Sequence, residues 1–242
     1  MDLNVIKRNG DTEVLSYDKI AQRIKQLNQG TSIQSSGLVM KIMDQLHDMI
    51  QTSKIDELIA EQCASMGIYH YDYSILAGRM IVSNHQKEVQ PSFEVYIKTI
   101  HEIPNYISQT YYDTAIKHLD FFESILDHSR DFLIDYFGFK TLERAYLIRS
   151  NGKIVERIQH LWLRVAIQIH GEDLKQVKET YDSLSRKEYI HATPTLFNSG
   201  ILRPQLSSCF LLGMEDDSID GIFNVLKIPS ILSSSWNGRR QY

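Results

Sequence analysis

The chain has 242 residues, 43% hydrophobic and 23% charged, an ordinary globular composition large enough for one large or two modest domains. A formal net charge of -4 and a pI near 6.1 give no global reason to expect a nucleic-acid partner, and no apolar run approaches a membrane span. The two cysteines, Cys63 and Cys209, lie far apart and lack zinc-type spacing, which argues against a disulfide scaffold and favours a reducing compartment. The N-terminus shows no basic region followed by an apolar run, so no secretory signal is visible and the expected location is cytoplasmic.

Residues Leu3 to Arg8 and Asp11 to Leu15 flank Asn9-Gly10, a dipeptide that readily takes the positive φ values of a tight turn and so predicts an antiparallel hairpin. Ser16 can cap the helix that follows, whose face is Tyr17, Ile20, Ile24 and Leu27, closed by Gln29-Gly30. A second helix carries Leu38, Val39, Ile42, Met43, Leu46 and Met49. A third starts near Thr52, with Ser53 and Asp56 at capping-box spacing and a core face of Ile55, Leu58, Ile59, Cys63 and Met66. A fourth, from about Tyr73, turns Leu76, Ala77, Met80 and Ile81 inward, and this module ends near Gln90-Pro91.

From Pro91 onward the pattern is helical and rich in aromatics. Helices are predicted over 93–102, 111–126, 158–169 and 174–187, with an Asn151-Gly152 turn between Ile148 and Ile154. The aromatic run 136–147 reads as packing rather than a cofactor box. Then comes Tyr189 to Gly200, read as a short strand and a turn-rich loop in which Pro194 biases Thr193 toward extended geometry. Ser207-Ser208 leads into Cys209-Phe210-Leu211-Leu212, short and apolar enough for a buried strand. Beyond it, Asp217 or Ser218 caps a further helix. The overall expectation is a mainly α fold with a small β component.

On residue type alone, Lys7 and Arg8 are a solvated strand edge or a phosphate site, with Lys19 at a helix start that also favours anions. Cys209 is either a small inert core residue or a reactive thiol. Order decides between these readings. Val5-Ile6-Lys7-Arg8-Asn9-Gly10, Thr12 to Ile20, Thr52 to Asp56 and Tyr71 to Met80 together resemble the ATP-cone, the regulatory nucleotide-binding module of many ribonucleotide reductases. Tyr136 to Leu147, Ala192 to Gly200 and Arg203 to Leu212 resemble the class I ribonucleotide reductase large subunit. There Glu156-Arg157-Ile158-Gln159-His160 departs from the family's Glu-Arg-Pro-Gln-His.

The resemblance implies an ATP-cone over 1–90, a helical domain over 91–188, the first strands of an incomplete α/β barrel over 189–227, and a divergent tail over 228–242. It implies ATP/dATP effector contacts at Lys7 and Arg8, at Glu13, Val14, Leu15, Ser16, Tyr17, Asp18 and Lys19, and at Thr52 and Asp56. Thr193 and Ser208 match positions that hold the substrate diphosphate, and Cys209 matches one half of a redox dithiol. Asp217, Ser218 and Ile219 match positions that touch a specificity effector at a dimer interface.

The implied reaction reduces ribonucleoside diphosphates to deoxyribonucleotides. Its implied partners are a small subunit carrying the metal-radical cofactor, thioredoxin or glutaredoxin, and further large subunits in a homo-oligomer; no metal is expected on this chain. Past Lys227 the resemblance fails: Pro229 is expected to end the helix and a serine-rich loop to follow, which suggests a frame change, a split gene or a truncated copy. One sulfur cannot supply a two-electron dithiol reduction, so this chain alone is expected to be inactive. The strand at Cys209 is expected to need a partner for its edge. The alternative is a non-catalytic ATP/dATP-binding module that modulates a complete reductase.

Overall fold

At Gly10 the backbone turns through a φ of 89°, the left-handed region open to glycine. This joins β1 (Asn4–Ile6) to an antiparallel β2 (Thr12–Val14), with Asn4 opposite Val14. The structure, a computed structural model, describes residues 3–33 and 35–237. Ser16 caps α1 (Tyr17–Leu27), accepting from the Lys19 N–H. The next helix, α2 (Ser35–Met43), stops short of Leu46 and Met49, which the periodicity places on it. Met49 instead takes a φ of 62° and donates its N–H to the Asn4 carbonyl at 2.7 Å. That lays β3 (Ile50–Gln51) parallel to β1 and completes a sheet ordered β2-β1-β3.

Helix α3 (Thr52–Met66) leaves β3 without a loop, with Gln51 at its N-cap and no side-chain cap. Ser53 therefore already lies inside the first turn, so the expected capping box with Asp56 does not form. The Asp56 side chain serves ion pairs instead. Against α3 packs α4 (Tyr71–Glu88), burying Leu76, Ala77, Met80 and Ile81, as the pattern predicted.

The helical body follows: α5 (Phe93–His101), α6 (Gln109–Lys117), α7 (Leu119–Ile125), a 3-10 turn (His128–Leu133) and α8 (Tyr136–Ala145). The single helix predicted over 111–126 is broken at His118, whose φ of -115° and ψ of 26° leave the helical region. Asn151 and Gly152, both with positive φ, close the hairpin of β4 (Arg149–Ser150) and β5 (Lys153–Ile154). The core helix α9 (Ile158–His170) is buried on every face from Ile158 to Ile167, the signature of a helix at the centre of a bundle. On it lies α10 (Leu174–Ser185), through Val177, Tyr181 and Leu184. Of the aromatic run, Phe139 is core while Phe137 is exposed.

Arg157, at the N-cap of α9, joins this body to the end of α4. Its Nε donates to the Val89 carbonyl at 2.8 Å and its Nη2 to that of Gln86 at 2.6 Å, a cation at a helix C-terminus. Beside it, the side-chain amides of Gln86 and Gln159 both donate to buried Asp131, at 2.7 and 2.8 Å. Burial pushes the Asp131 carboxyl up to about 6 despite those two bonds. His85, also buried and near Arg157, is pushed down to about 4.

The C-terminal segment departs most from expectation. Residues 193–198 form a short helix, α11 (Thr193–Asn198), not part of a strand and loop. Pro194 lies in its first turn, where a missing N–H breaks no intrahelical bond. Cys209 to Leu212 form no strand and are exposed, because a two-faced strand needs flanking strands and the described residues offer none there. The mainly α class holds, but no barrel strand is present among the described residues. Finally, α12 (Ile219–Asn237) runs through Pro229, where the sequence pattern predicts that the helix ends. Residues 238–242 of the predicted tail lie outside the described residues.

Candidate functional site: a cation-lined cleft in the N-terminal module

Between the small sheet and helices α1, α3 and α4 lies a cleft of about 160 Å³, partly open to solvent. Its apolar lining is Val5, Leu15, Ile20, Ile55 and Ile59, and its polar lining is Arg8, Glu13, Ser16, Lys19, Arg23, Thr52, Asp56 and Lys87. Each element supplies its residues for a local reason. The hairpin presents Arg8 just before its turn, and the Ser16 cap fixes the first turn of α1 with Lys19. The direct passage from β3 into α3 puts Thr52 at the first helical position and Asp56 one turn on.

Asp56 is the hub. Arg23 grips it with two prongs, at 3.2 and 3.1 Å. Lys87 approaches at 3.3 Å and Arg8 at 3.4 Å. The other arm of Arg8 reaches Glu88 at 3.2 Å, and its Nη2 also bonds Asn84. Burial, then the positive charges of Arg23 and Arg8, lower the Lys87 ammonium below its ordinary value, with Asp56 opposing. At the mouth, Glu13 accepts from Lys7 at 2.6 Å and from Lys19 at 2.8 Å. Those hydrogen bonds, Lys19 first, hold its carboxyl below the usual range, and the bond to Glu13 raises Lys7. Five cations thus surround three carboxylates, Asp56, Glu13 and Glu88. Such an excess of donors suits a polyanion beside an apolar floor.

Of the residues anticipated from sequence, Arg8, Glu13, Leu15, Ser16, Lys19, Thr52 and Asp56 come together here. Lys7 stands at the rim through Glu13, while Val14, Tyr17 and Asp18 are exposed and outside the lining. Sequence reasoning missed Arg23 and Lys87. Arg23 lies one turn beyond Lys19 on the same face of α1, and that spacing was the available signal.

Thr193, Ser208 and Cys209 are all exposed. Ser208 Oγ lies 3.6 Å from Cys209 Sγ, and Thr193 Oγ1 lies 2.9 Å from the Tyr146 hydroxyl. Ser218 caps α12, accepting from the Gly221 N–H at 3.0 Å, with Asp217 and Ile219 exposed beside it. Cys63 is fully buried and its thiol is pushed up to about 12 by burial, as befits an inert core residue. Among the described residues no group of three or more His, Cys, Asp or Glu is placed to hold a metal, and no helix is long and apolar enough to cross a membrane.

Comparison with known proteins agrees with this anatomy. Residues 3–88 match the ATP cone domain, and residues 132–204 match the all-alpha domain of ribonucleotide reductase. The chain is 41% identical to the ribonucleoside-diphosphate reductase large chain of Schizosaccharomyces pombe, over 97% of this chain and 30% of that protein. It is 45% identical to the large subunit of Dictyostelium discoideum, over 97% and 28%, and 42% identical to that of Danio rerio, over 98% and 31%. The chain therefore spans about 30% of the length of these relatives. Only 2–3% of the chain is left unmatched, so the matched span extends past Lys227. With an ATP cone domain at one end and the ribonucleotide reductase all-alpha domain behind it, the chain matches the N-terminal part of ribonucleotide reductase large subunits.

Proposed function

We propose that this chain is the effector-binding and substrate-entry portion of a ribonucleoside-diphosphate reductase, an oxidoreductase that makes deoxyribonucleotides. The cleft takes ATP or dATP, and the observation that carries this is the convergence of Arg8, Arg23 and Lys87 on one buried carboxylate. A triphosphate offers these cations more negative charge than Asp56 does. Thr52 and Ser16 lie in the same lining and supply hydroxyls for sugar or base.

At the other end, Thr193 and Ser208 hold a substrate diphosphate, and Cys209 is one thiol of the dithiol consumed in each turnover. Asp217, Ser218 and Ile219 face a specificity effector where two large subunits meet. A radical-bearing metallo small subunit starts the reaction, and thioredoxin or glutaredoxin restores the dithiol, in the cytoplasm. Cys63 cannot be the second thiol, since it is sealed inside the cone. This chain alone therefore does not complete the redox pair.

A second reading, a regulatory binder without catalysis, is favoured by one feature: the cleft is assembled within the chain, whereas Cys209 lies in the open. Calorimetric titration with ATP and dATP tests the effector site common to both. Saturable binding is expected, weakened at least about tenfold in Arg8→Ala or Lys19→Ala. Absence of binding by chain that melts cooperatively overturns the reading. Reductase activity on addition of the rest of the barrel separates the first reading from the second.

A further inference from the structure

We infer that Tyr146 is a positioning residue for the substrate diphosphate, aiming the Thr193 hydroxyl; this rests on the substrate-entry reading above. The two hydroxyls meet at 2.9 Å across 47 residues of sequence. Thr193 has one proton. If it donates to Tyr146, only lone pairs face an approaching phosphate oxygen. If Tyr146 donates, Thr193 keeps its proton for the phosphate. A phenol is the stronger proton donor of the two, so the second arrangement is the one assigned.

Both partners are held from behind. Tyr146 ends α8, its N–H bonded to the Leu142 carbonyl at 2.9 Å, and its half-buried ring packs on the core. On the other side, the far end of α11 is anchored to α9. Fully buried Arg164 donates through Nη1 to the carbonyls of Leu196, at 3.2 Å, and Ser199, at 2.7 Å. Gln168 accepts the Gly200 N–H at 2.9 Å, and the Ser108 N–H reaches the Gly200 carbonyl at 3.0 Å. Glu156 fixes Arg164 in turn, at 2.6 and 3.1 Å. The segment is thus stiff where it leaves the core, while Thr193 is exposed at its tip, with Tyr146 as its side-chain partner. Pre-orientation of this kind lowers the ordering cost of binding.

The test is a titration of the full chain with cytidine 5′-diphosphate, followed on the amide signal of residue 193 and so blind to events in the cone. A saturable shift is expected. Tyr146→Phe should weaken it about three- to tenfold with an unchanged melting temperature, and Thr193→Val should weaken it further. Adding Tyr146→Phe to Thr193→Val should then change nothing more, since the aimed hydroxyl is already gone. Wild-type affinity in Tyr146→Phe, or additive losses in the double variant, overturns the role of Tyr146 while leaving the substrate reading intact. No shift in the unaltered chain sinks both.

Discussion

Arg23 and Asp56, separated by 33 residues, meet in a two-pronged ion pair, Nε to Oδ1 at 3.2 Å and Nη2 to Oδ2 at 3.1 Å. The pair binds α1 to α3 and sets the depth of the cleft between them. It also leaves one buried carboxylate at the centre of the cleft's cations.

Asp56→Asn leaves Arg8, Arg23 and Lys87 facing one another with no carboxylate at their centre. The expected loss of stability is about 2–4 kcal/mol, read as a lower urea midpoint at unchanged slope. Added salt should recover part of it, because the residual repulsion is between partly exposed cations. An unaltered midpoint would show that the cations do not depend on Asp56.

Titration of the α4–α9 junction gives a pH signature. Asp131, with a carboxyl near 6 in the fold against an ordinary 3.8, binds more protons folded than unfolded between those values. Alone, it makes stability fall by about 3 kcal/mol as pH rises through that window. His85, near 4 in the fold against an ordinary 6.5, does the reverse: its contribution is complete above 6.5 and is lost as pH falls toward 4. Burial lowers His128 and His160 in the same direction. Three imidazoles outweigh one carboxyl, so thermal stability should rise between pH 4 and 6.5. Asp131→Asn, which removes the opposing group, should make the rise steeper. Parallel pH profiles for the two proteins would refute this assignment.

Glu156 and Arg164 form an ion pair excluded from solvent. Glu156 also accepts from the Tyr96 hydroxyl and the Ile148 N–H. Burial opposes the charge on Arg164, but Glu156 outweighs it and the guanidinium is held above its ordinary value. Arg164→Met strands the carboxylate and should cost about 3–5 kcal/mol. Combining it with Glu156→Leu should cost less than the single change, since no lone charge then remains. Denaturant unfolding of the three variants measures the order, and amide exchange at Ser199 and Gly200 should accelerate in each.

Gly200 and Gly30 both have positive φ, 78° and 74°. A Cβ on Gly200 would lie 3.2 Å from Arg164 Cγ, whereas one on Gly30 meets nothing within 4 Å. Gly30→Ala should therefore cost about 1 kcal/mol from backbone strain alone, and Gly200→Ala about 2 kcal/mol. Equal losses would mean that Arg164 yields freely.

The N-terminal module was legible because its signals are local: Asn9-Gly10 for the turn, Ser16 for the cap, and helical spacing for the core. What escaped was non-local. Arg23 reads as an ordinary solvated helix residue until Asp56 is brought beside it, and β3 exists only because Met49 redirects the chain. Cys209 to Leu212 carries a strand composition but no strand, since pairing requires neighbours that composition cannot supply. Ile158 shows the converse. It occupies the first helical position after Arg157, whose ψ of 159° is what a following proline requires. Ile158 thus stands on a backbone that a proline would also accept.

Helix α4 has two owners. One flank builds the cleft wall with Lys87, and the other lies so close to Ile134 that a Cβ on Gly78 would be 2.9 Å from its carbonyl oxygen. Arg157 then ties off the helix end from the far side of the chain. The point where the sequence changes character, near Pro91, is thus not where the protein comes apart. A nick there would leave two pieces still joined along the C-terminal half of this helix, from Gly78 to Val89, and a cone excised at that point would carry away a wall of its neighbour.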